Sequence, residues 1–247
     1  MISVLLPSRG RPDGLFDAME SIYKYASRPM QIECVVRVDD DDEETLNAMD
    51  AKPPEYDYLK FLTGPHGGFY GLASAWNECA KAASGDYLLI FNDDSTFRQH
   101  GWDDFLWDKD PKEIWLAGFM DSLSQGQRPD IEAWVAFPAI SRAFYEAIGH
   151  LTEHCLMDNW LYAIYTQPKI GPVYRTKGVY INHDRPQDIM RTMDVRWRAE
   201  EDAIAIREGK SKHWKALVER DRRLLKEAIS HGPTKEEAHE AEDGNHS

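Results

Sequence analysis

The chain opens on a short apolar run, Ile2 to Leu6, cut off by Pro7-Ser8-Arg9-Gly10. A run of that length ending in turn formers predicts a buried strand leaving into a loop. Pro12-Asp13 then opens a helix that puts Leu15, Phe16, Met19, Ile22 and Tyr23 on one face. Ile32 to Val38 reads as a second strand, rich in β-branched residues, and it stops abruptly at Asp39-Asp40-Asp41-Asp42. A short helix over Glu43 to Met49 is broken by Pro53-Pro54, and Tyr58 to Leu62 reads as a third strand. After the loop Gly64-Pro65-His66-Gly67-Gly68 comes a helix with Leu72, Ala75, Trp76, Cys79, Ala80 and Ala83 at helical spacing, closed by Ser84-Gly85. Asp86 to Phe91 is a fourth strand running straight into Asn92-Asp93-Asp94-Ser95.

The second half is less regular. Strands are expected at Ile114 to Phe119, Trp134 to Phe137 and Val179 to His183, and helices at Ser141 to Ile148 and Cys155 to Tyr165. From Asp194 to Ser230 the pattern is helical, with a stripe of Trp214, Leu217, Val218, Leu224, Leu225 and Ile229. The last 16 residues are polar and acidic and read as disordered.

Strand–helix repeats of this length imply an α/β fold whose mostly parallel central sheet is flanked by helices. Right-handed crossovers bring the carboxyl ends of the strands to one edge, where ligands of open sheets bind. Pro7 to Arg11, Asp39 to Asp42 and Asn92 to Ser95 are therefore expected on one rim.

Composition narrows the function classes. The 247 residues carry a formal net charge of −14, which disfavours adhesion to nucleic acid by bulk electrostatics. The charge is uneven: Gln187 to His231 is net +2, the tail from Gly232 is −4, and residues 1 to 186 hold the remaining −12. The three cysteines, Cys34, Cys79 and Cys155, are widely spaced and read as core thiols. No apolar run approaches the roughly 20 residues of a membrane span. The N-terminus lacks a basic stretch and meets Pro7 too early for a signal peptide, so the expected location is cytoplasmic.

Each acid cluster alone is compatible with a solvated turn. Two clusters at the ends of neighbouring strands are a different matter, because charges about 4 Å apart repel by about 4 kcal/mol at an effective dielectric of about 20. A divalent cation removes that penalty, and hard oxygen ligands favour Mg²⁺ or Mn²⁺.

The segments now resemble a known family in consistent order. GDYLLIFNDDS resembles the D-x-D strand of the GT-A fold glycosyltransferases, in particular the inverting group called family 2. SVLLPSRGRP resembles that family's first strand and nucleotide loop, and VVRVDDDDEETL its base-reading strand. GLASAWNECAKAASGDYLLIF is similar to the helix leading into the metal strand, and FPAISRAFYEAIG to the acceptor-side strand and helix. LMDNWLYAIY resembles the helix led by the catalytic base, and VYINHD the strand carrying a histidine near the metal. The resemblance spans residues 1 to 186 and implies a Rossmann-like GT-A domain there, followed by a helical C-terminal extension over 187–231 and the acidic tail over 232–247.

It also implies roles. Pro7, Ser8, Arg9 and Arg11 line the donor pocket, Asp40 reads the base with Asp39 and Asp41 as substitutes, and Asp93 faces the ribose or the metal. Asp94 and His183 hold the metal, Asp158 is the general base, and Trp134 and Phe137 contact the acceptor. Asn92 stands where many members have an aspartate, so the motif's first acid is shifted or absent.

The implied activity is metal-dependent, inverting transfer from a nucleotide sugar, a UDP-sugar first, to an acceptor hydroxyl. That acceptor is a glycan, a protein, a small molecule or a hydroxymethylated base in DNA. A carboxylate with its usual pKa of about 3.9 is ionised at neutral pH and fits the role of base. A nucleotidyltransferase on a related sheet is the main alternative, although the loop PSRGRP has no nearby lysine to cover phosphates. A non-catalytic sugar-nucleotide binder and a glycoside hydrolase with paired carboxylates are the remaining readings.

Overall fold

The computed structural model of the chain describes residues 1–51, 58–121, 137–166, 170–183 and 212–231. Their strands form one eight-stranded sheet in the order β3-β2-β1-β4-β7-β6-β8-β5. β1 (Ile2–Ser8), β2 (Ile32–Asp39), β3 (Leu59–Gly64) and β4 (Tyr87–Ile90) pair in parallel. β7 (Phe137–Ser141) runs antiparallel to both β4 and β6 (Leu116–Asp121). β8 (Val173–His183) lies parallel to β6 and antiparallel to the short β5 (Ser95–Phe97). The expected parallel half is thus present, and the second half is mixed.

Alternation along the strands builds two cores. Ile2, Val4 and Leu6 of β1 and Ile32, Cys34, Val36 and Val38 of β2 face Leu15, Met19 and Ile22 of α1 (Pro12–Lys24). Leu5 and Val35 point the other way, toward Trp76, Cys79 and Ala80 of α3 (Gly68–Ala82). Burial on both faces explains why these strands read as continuous apolar runs. The few polar side chains within them are paired: Ser3 and Ser84 donate to the buried Glu33, which Lys60 also meets at 3.0 Å. The three cysteines are buried and outside any disulfide. Burial pushes the Cys34 and Cys79 thiols up to about 12, so both are inert core groups.

The topology fixes where a ligand can sit. After β1 the chain moves outward to β2 and β3, then returns to the opposite side of β1 as β4. Strand order reverses between β1 and β4, and the crevice beyond their carboxyl ends is where such sheets bind ligands. α1 and α3 cover opposite faces of that crevice.

α2 (Glu43–Ala51) follows the acidic run, and α4 (Asp104–Trp107) follows β5. α5 (Arg142–Ile148) is capped by Ser141, whose side chain accepts from the Phe144 N–H, and it ends at Gly149 with φ +75°. α6 (Met157–Tyr165) and the C-terminal helix α7 (Lys212–Ser230) complete the second layer. α7 packs against α5 and α6, and its Val218 and Leu225 are buried in the same core as β1 and β4. Its fully buried Asp221 accepts from His150 at 2.9 Å. The rest of the expected helical stretch, 187–211, and the acidic tail, 232–247, lie outside the described residues. No helix among the described residues is long and apolar enough to cross a membrane.

Candidate active site

The three predicted rim segments meet. Ser8 Oγ donates to Asp93 Oδ2 at 2.8 Å, and Arg11 Nη1 reaches Asp93 Oδ1 at 3.0 Å and Asp94 Oδ2 at 3.4 Å. Arg9 bonds Asp39 at 2.9 Å and is also paired with Asp41. These contacts border a cleft of about 480 Å³ between the loop after β1, the end of β2, the start of α3 and the turn after β4. Pro7, Ser8, Arg9, Arg11, Asp39, Asp93 and Asp94 all line it, whereas Asp40, Asp41 and Asp158 do not.

The four consecutive aspartates divide into separate tasks. Asp39 ends β2 and is the one that faces the cleft, held by Arg37, by Arg9 and by His66 Nδ1 at 2.6 Å. Asp40 is exposed outside the cleft, and Asp39, one of its named substitutes, is the member of the run that lines it. A one-residue change of phase at a strand end moves a side chain to the other face, which composition cannot resolve. Asp41 is exposed, and the hydrogen bond from Arg9 lowers its pKa. Asp42 starts α2: it accepts from the Thr45 N–H at 3.2 Å and from the Gly10 N–H at 2.7 Å, tying the β1 loop to the helix. Gly10 adopts φ +63°, a left-handed position that suits glycine.

His183 approaches Asp94 from β8 without lining the cleft itself. The β5–β8 register sets Ser95 opposite His183, and this brings His183 Nε2 to 3.1 Å from Asp94 Oδ1. An oxygen and a nitrogen about 3 Å apart have the spacing of two adjacent ligands on an octahedral ion with bonds of about 2.1 Å. The contact is itself a direct hydrogen bond or ion pair, and its oxygen and nitrogen are ligand atoms of the kind that a Mg²⁺ or Mn²⁺ ion takes. Burial pushes the Asp94 carboxyl upward, but the His183 hydrogen bond and the charges of His183 and Arg11 outweigh it and leave the pKa lowered. Asp93 goes the opposite way: burial raises its pKa and Arg11 and Ser8 offset this only in part.

An aromatic cluster beneath the turn fixes its position. Phe91 and Phe97, on either side of Asn92–Thr96, stack at 4.9 Å, and Phe97 stacks on Trp102 at 4.4 Å. Such contacts contribute about 0.5–1.5 kcal/mol each beyond area burial. Phe137 packs on Phe91 at 5.6 Å and edge-on against His183 at 5.5 Å. It is only 1% exposed, so its predicted acceptor contact is corrected: the ring supports His183 from within the core. Trp134, the other predicted acceptor residue, lies outside the described residues.

Asp158 stands in the first turn of α6, where its Oδ1 accepts from the Asn159 N–H at 2.8 Å. Burial raises its pKa to about 6. Arg37 escaped sequence reasoning, whereas His66, read with Gly67 and Gly68 as a loop or a flap over the donor, lines the cleft beside Asp39. Arg37 is 4% exposed inside an apolar strand and binds Asp39, Glu78 and the Pro65 carbonyl. An arginine within such a run was the available signal, since buried arginines are nearly always paired. Asp39, Asp41 and His66 also bring one ligand atom each within 4.8 Å of one another, but Arg9 already holds both carboxylates.

A mostly parallel sheet with a crevice at its strand-order reversal and helices on both faces is the fold of the GT-A glycosyltransferases. The comparisons agree. Residues 3–106, from β1 into α4, match the family model described as glycosyl transferase family 2. The mannosyltransferase PcManGT of Pyrobaculum calidifontis, solved with GDP-Man and Mn²⁺, superimposes with a TM-score of 0.61 at 16% identity, over 98% of this chain and 79% of that one. TarS 1-349 of S. aureus gives 0.59 at 13% identity, over 91% and 70%, and was also solved with UDP-GlcNAc. Glucosyl-3-phosphoglycerate synthase of Mycobacterium tuberculosis, in complex with Mn²⁺, UDP and phosphoglyceric acid, gives 0.51 at 15% identity, over 78% and 74%. No curated protein matches the chain in sequence. The fold of the chain is thus that of the GT-A glycosyltransferases, and its residues 3–106 carry the match to the family 2 model.

Proposed function

We propose that the protein transfers a sugar from a nucleotide sugar, with UDP-sugars as first choice, to an acceptor hydroxyl, with inversion and with dependence on Mn²⁺ or Mg²⁺. The observation that carries this reading is the 3.1 Å contact of Asp94 and His183 beside a cleft whose other wall bears Ser8, Arg9, Arg11 and Asp39. The nucleotide-sugar and Mn²⁺ complexes of the structural relatives support it.

Each residue then has a task. Asp39, oriented by Arg37, accepts from the N–H edge of the base, and Pro7 and Ser8 border the nucleoside. Arg9 and Arg11 supply positive charge to the diphosphate. Asp94 and His183 hold the cation, which when bound supplies Lewis acidity to the leaving group. Asp158 takes the proton from the acceptor hydroxyl as its oxygen attacks the anomeric carbon. The bond from that carbon to the diphosphate breaks, and the electron pair leaves with the diphosphate. A carboxyl with a pKa of about 6 is mostly ionised at neutral pH and is a stronger base than an ordinary aspartate.

The formal net charge of −14 favours a neutral acceptor over a nucleic acid. The arginines of α7 also have carboxylate partners: Arg220 meets Glu153 and Asp221, Arg222 meets Glu219, and Arg223 meets Glu227.

Thermal shift with UDP, UDP-GlcNAc and GDP-mannose, with and without Mn²⁺, tests the reading. A UDP-dependent rise that requires Mn²⁺ and is lost in Asp94→Ala is the expected result. Indifference to every nucleotide with Mn²⁺ present would reject the reading.

A further inference from the structure

Each carboxylate oxygen at the β4 turn has a donor from the chain itself. Asp93 Oδ2 takes Ser8 Oγ at 2.8 Å, and Asp93 Oδ1 takes Arg11 Nη1 at 3.0 Å. Asp94 Oδ1 is met by Ser95 Oγ at 3.2 Å and by His183 Nε2 at 3.1 Å, while Asp94 Oδ2 is met by Arg11 Nη1 at 3.4 Å. One guanidinium nitrogen therefore bridges the two aspartates, as a shared cation would. Arg11 also borders both the main cleft and a second cavity of about 380 Å³ that reaches α1 and Glu44, with Asp93 and Asp94 common to both walls. Its side chain is 28% exposed and follows Gly10, whose φ of +63° sets the bend of the loop. It has room to leave by either cavity.

We infer that Arg11 is a built-in counter-cation that competes with the divalent ion for Asp94 and yields its place far more readily when a nucleotide diphosphate arrives to receive it. The inference rests on the proposed function, because it assumes that Asp94 is a metal ligand. An ion held by Asp94 Oδ1 and His183 Nε2 lies one carboxylate away from the guanidinium on Oδ2, and the repulsion between the two cations opposes joint occupancy, so ion binding drives the guanidinium away. Displacement into the cleft leaves a positive charge where the diphosphate lies, and this links the two ligands. The ion alone binds poorly, the diphosphate removes the competitor, and by reciprocity each ligand strengthens the other. The role is one of positioning and ordering: Arg11 holds the acids together and keeps the ion from loading ahead of the donor.

The test is Mn²⁺ binding to the full chain, read by electron paramagnetic resonance of the free ion, with and without UDP. Arg11→Gln should bind Mn²⁺ alone about tenfold more tightly than the wild type, and the tightening brought by UDP should shrink by about the same factor. Arg11→Lys keeps the charge and should remain as weak as the wild type. Should Arg11→Gln not fold, the wild type still decides: the Arg11 Nε–Hε resonance, assigned by its absence in Arg11→Lys, should move on adding Mg²⁺ without nucleotide. Arg11→Gln that binds Mn²⁺ alone no better than wild type, or a resonance that stays still while Mg²⁺ binds, overturns the inference and leaves the metal site standing. Failure of wild type and variant alike to hold Mn²⁺ with UDP present removes both the inference and the metal reading beneath it.

Discussion

Among the site residues, Asp158 makes the sharpest demand on experiment. Its pKa of about 6 arises from burial, which favours the protonated form, with the Asn159 N–H pulling the other way. In the proposed role of base it must be ionised, so turnover should fall about tenfold per pH unit below about pH 6. A pH profile of kcat locates that limb, and a profile flat down to pH 4.5 would remove Asp158 from the role. Stability carries the opposite sign. The folded pKa lies above the unfolded one, so the native state holds the proton more tightly and loses stability as pH rises from about 4 to about 6. Asp158→Asn has no such charge to bury. It should cost 10²–10⁴-fold in turnover while raising stability at pH 7 by about 1–2 kcal/mol, a gain that closes near pH 4 in denaturant titrations. The acidic residue types of this site were legible because polar acids directly after buried strands are visible in one dimension. Their individual facing was not: Asp39 and Asp40 differ by one step of the pleat, and only the Arg37, Arg9 and His66 contacts select Asp39.

Between residue and fold, the elements that build the crevice depend on one close approach. A β-carbon at Gly14, in the first turn of α1, would collide with the Asp93 backbone carbonyl. Glycine lets the helix press against the acid turn and fix its height above the sheet. Alanine in an open helical position normally stabilises by up to about 1 kcal/mol, as expected for Gly71→Ala in α3, where the added methyl meets nothing within 4 Å. Gly14→Ala should reverse that sign, costing about 1–3 kcal/mol and weakening Mn²⁺ and UDP binding together as the turn is pushed away. Calorimetry on the two variants separates the effects, and a stabilised, fully binding Gly14→Ala would show that the contact does not matter. The same elements mark how far pattern reading extends. β1, α1, β2, α3 and β4 have enough residues to express a period of two or 3.6 and were readable. β5 has three residues and α4 four, too few for any period, yet β5 brings His183 to Asp94 through its pairing with β8. The antiparallel placement of β7 was equally hidden, because strand direction is set by partners and not by composition.

At the scale of the molecule, the question is whether the C-terminal helix is an appendage or part of the core. The sequence expectation treats it as an extension beyond residue 186. The structure buries Val218 at 5% and Leu225 at 0% exposure in the layer that also holds Leu5, Trp76, Phe144 and Trp160. Trp214 meets Trp160 edge to face at 4.9 Å, and the buried Asp221 accepts from His150 Nε2 at 2.9 Å and from Arg220 Nε at 2.8 Å. A carboxylate placed at zero exposure is tolerable only while its partners stay in position, so α7 and the α5–α6 segment stabilise each other. α3, whose other end borders the cleft, shares this layer through Trp76 and Cys79. Separating α7 would therefore strip apolar cover from the support of the donor site itself. Leu225→Ala should cost about 2–5 kcal/mol. Helical signal, tryptophan fluorescence and nucleotide binding should then be lost in one coincident transition, at a lower denaturant concentration than in the wild type. An α7 that melts first, with UDP binding retained through that step, would show that the helix is a separate extension after all and that the donor cleft stands without it.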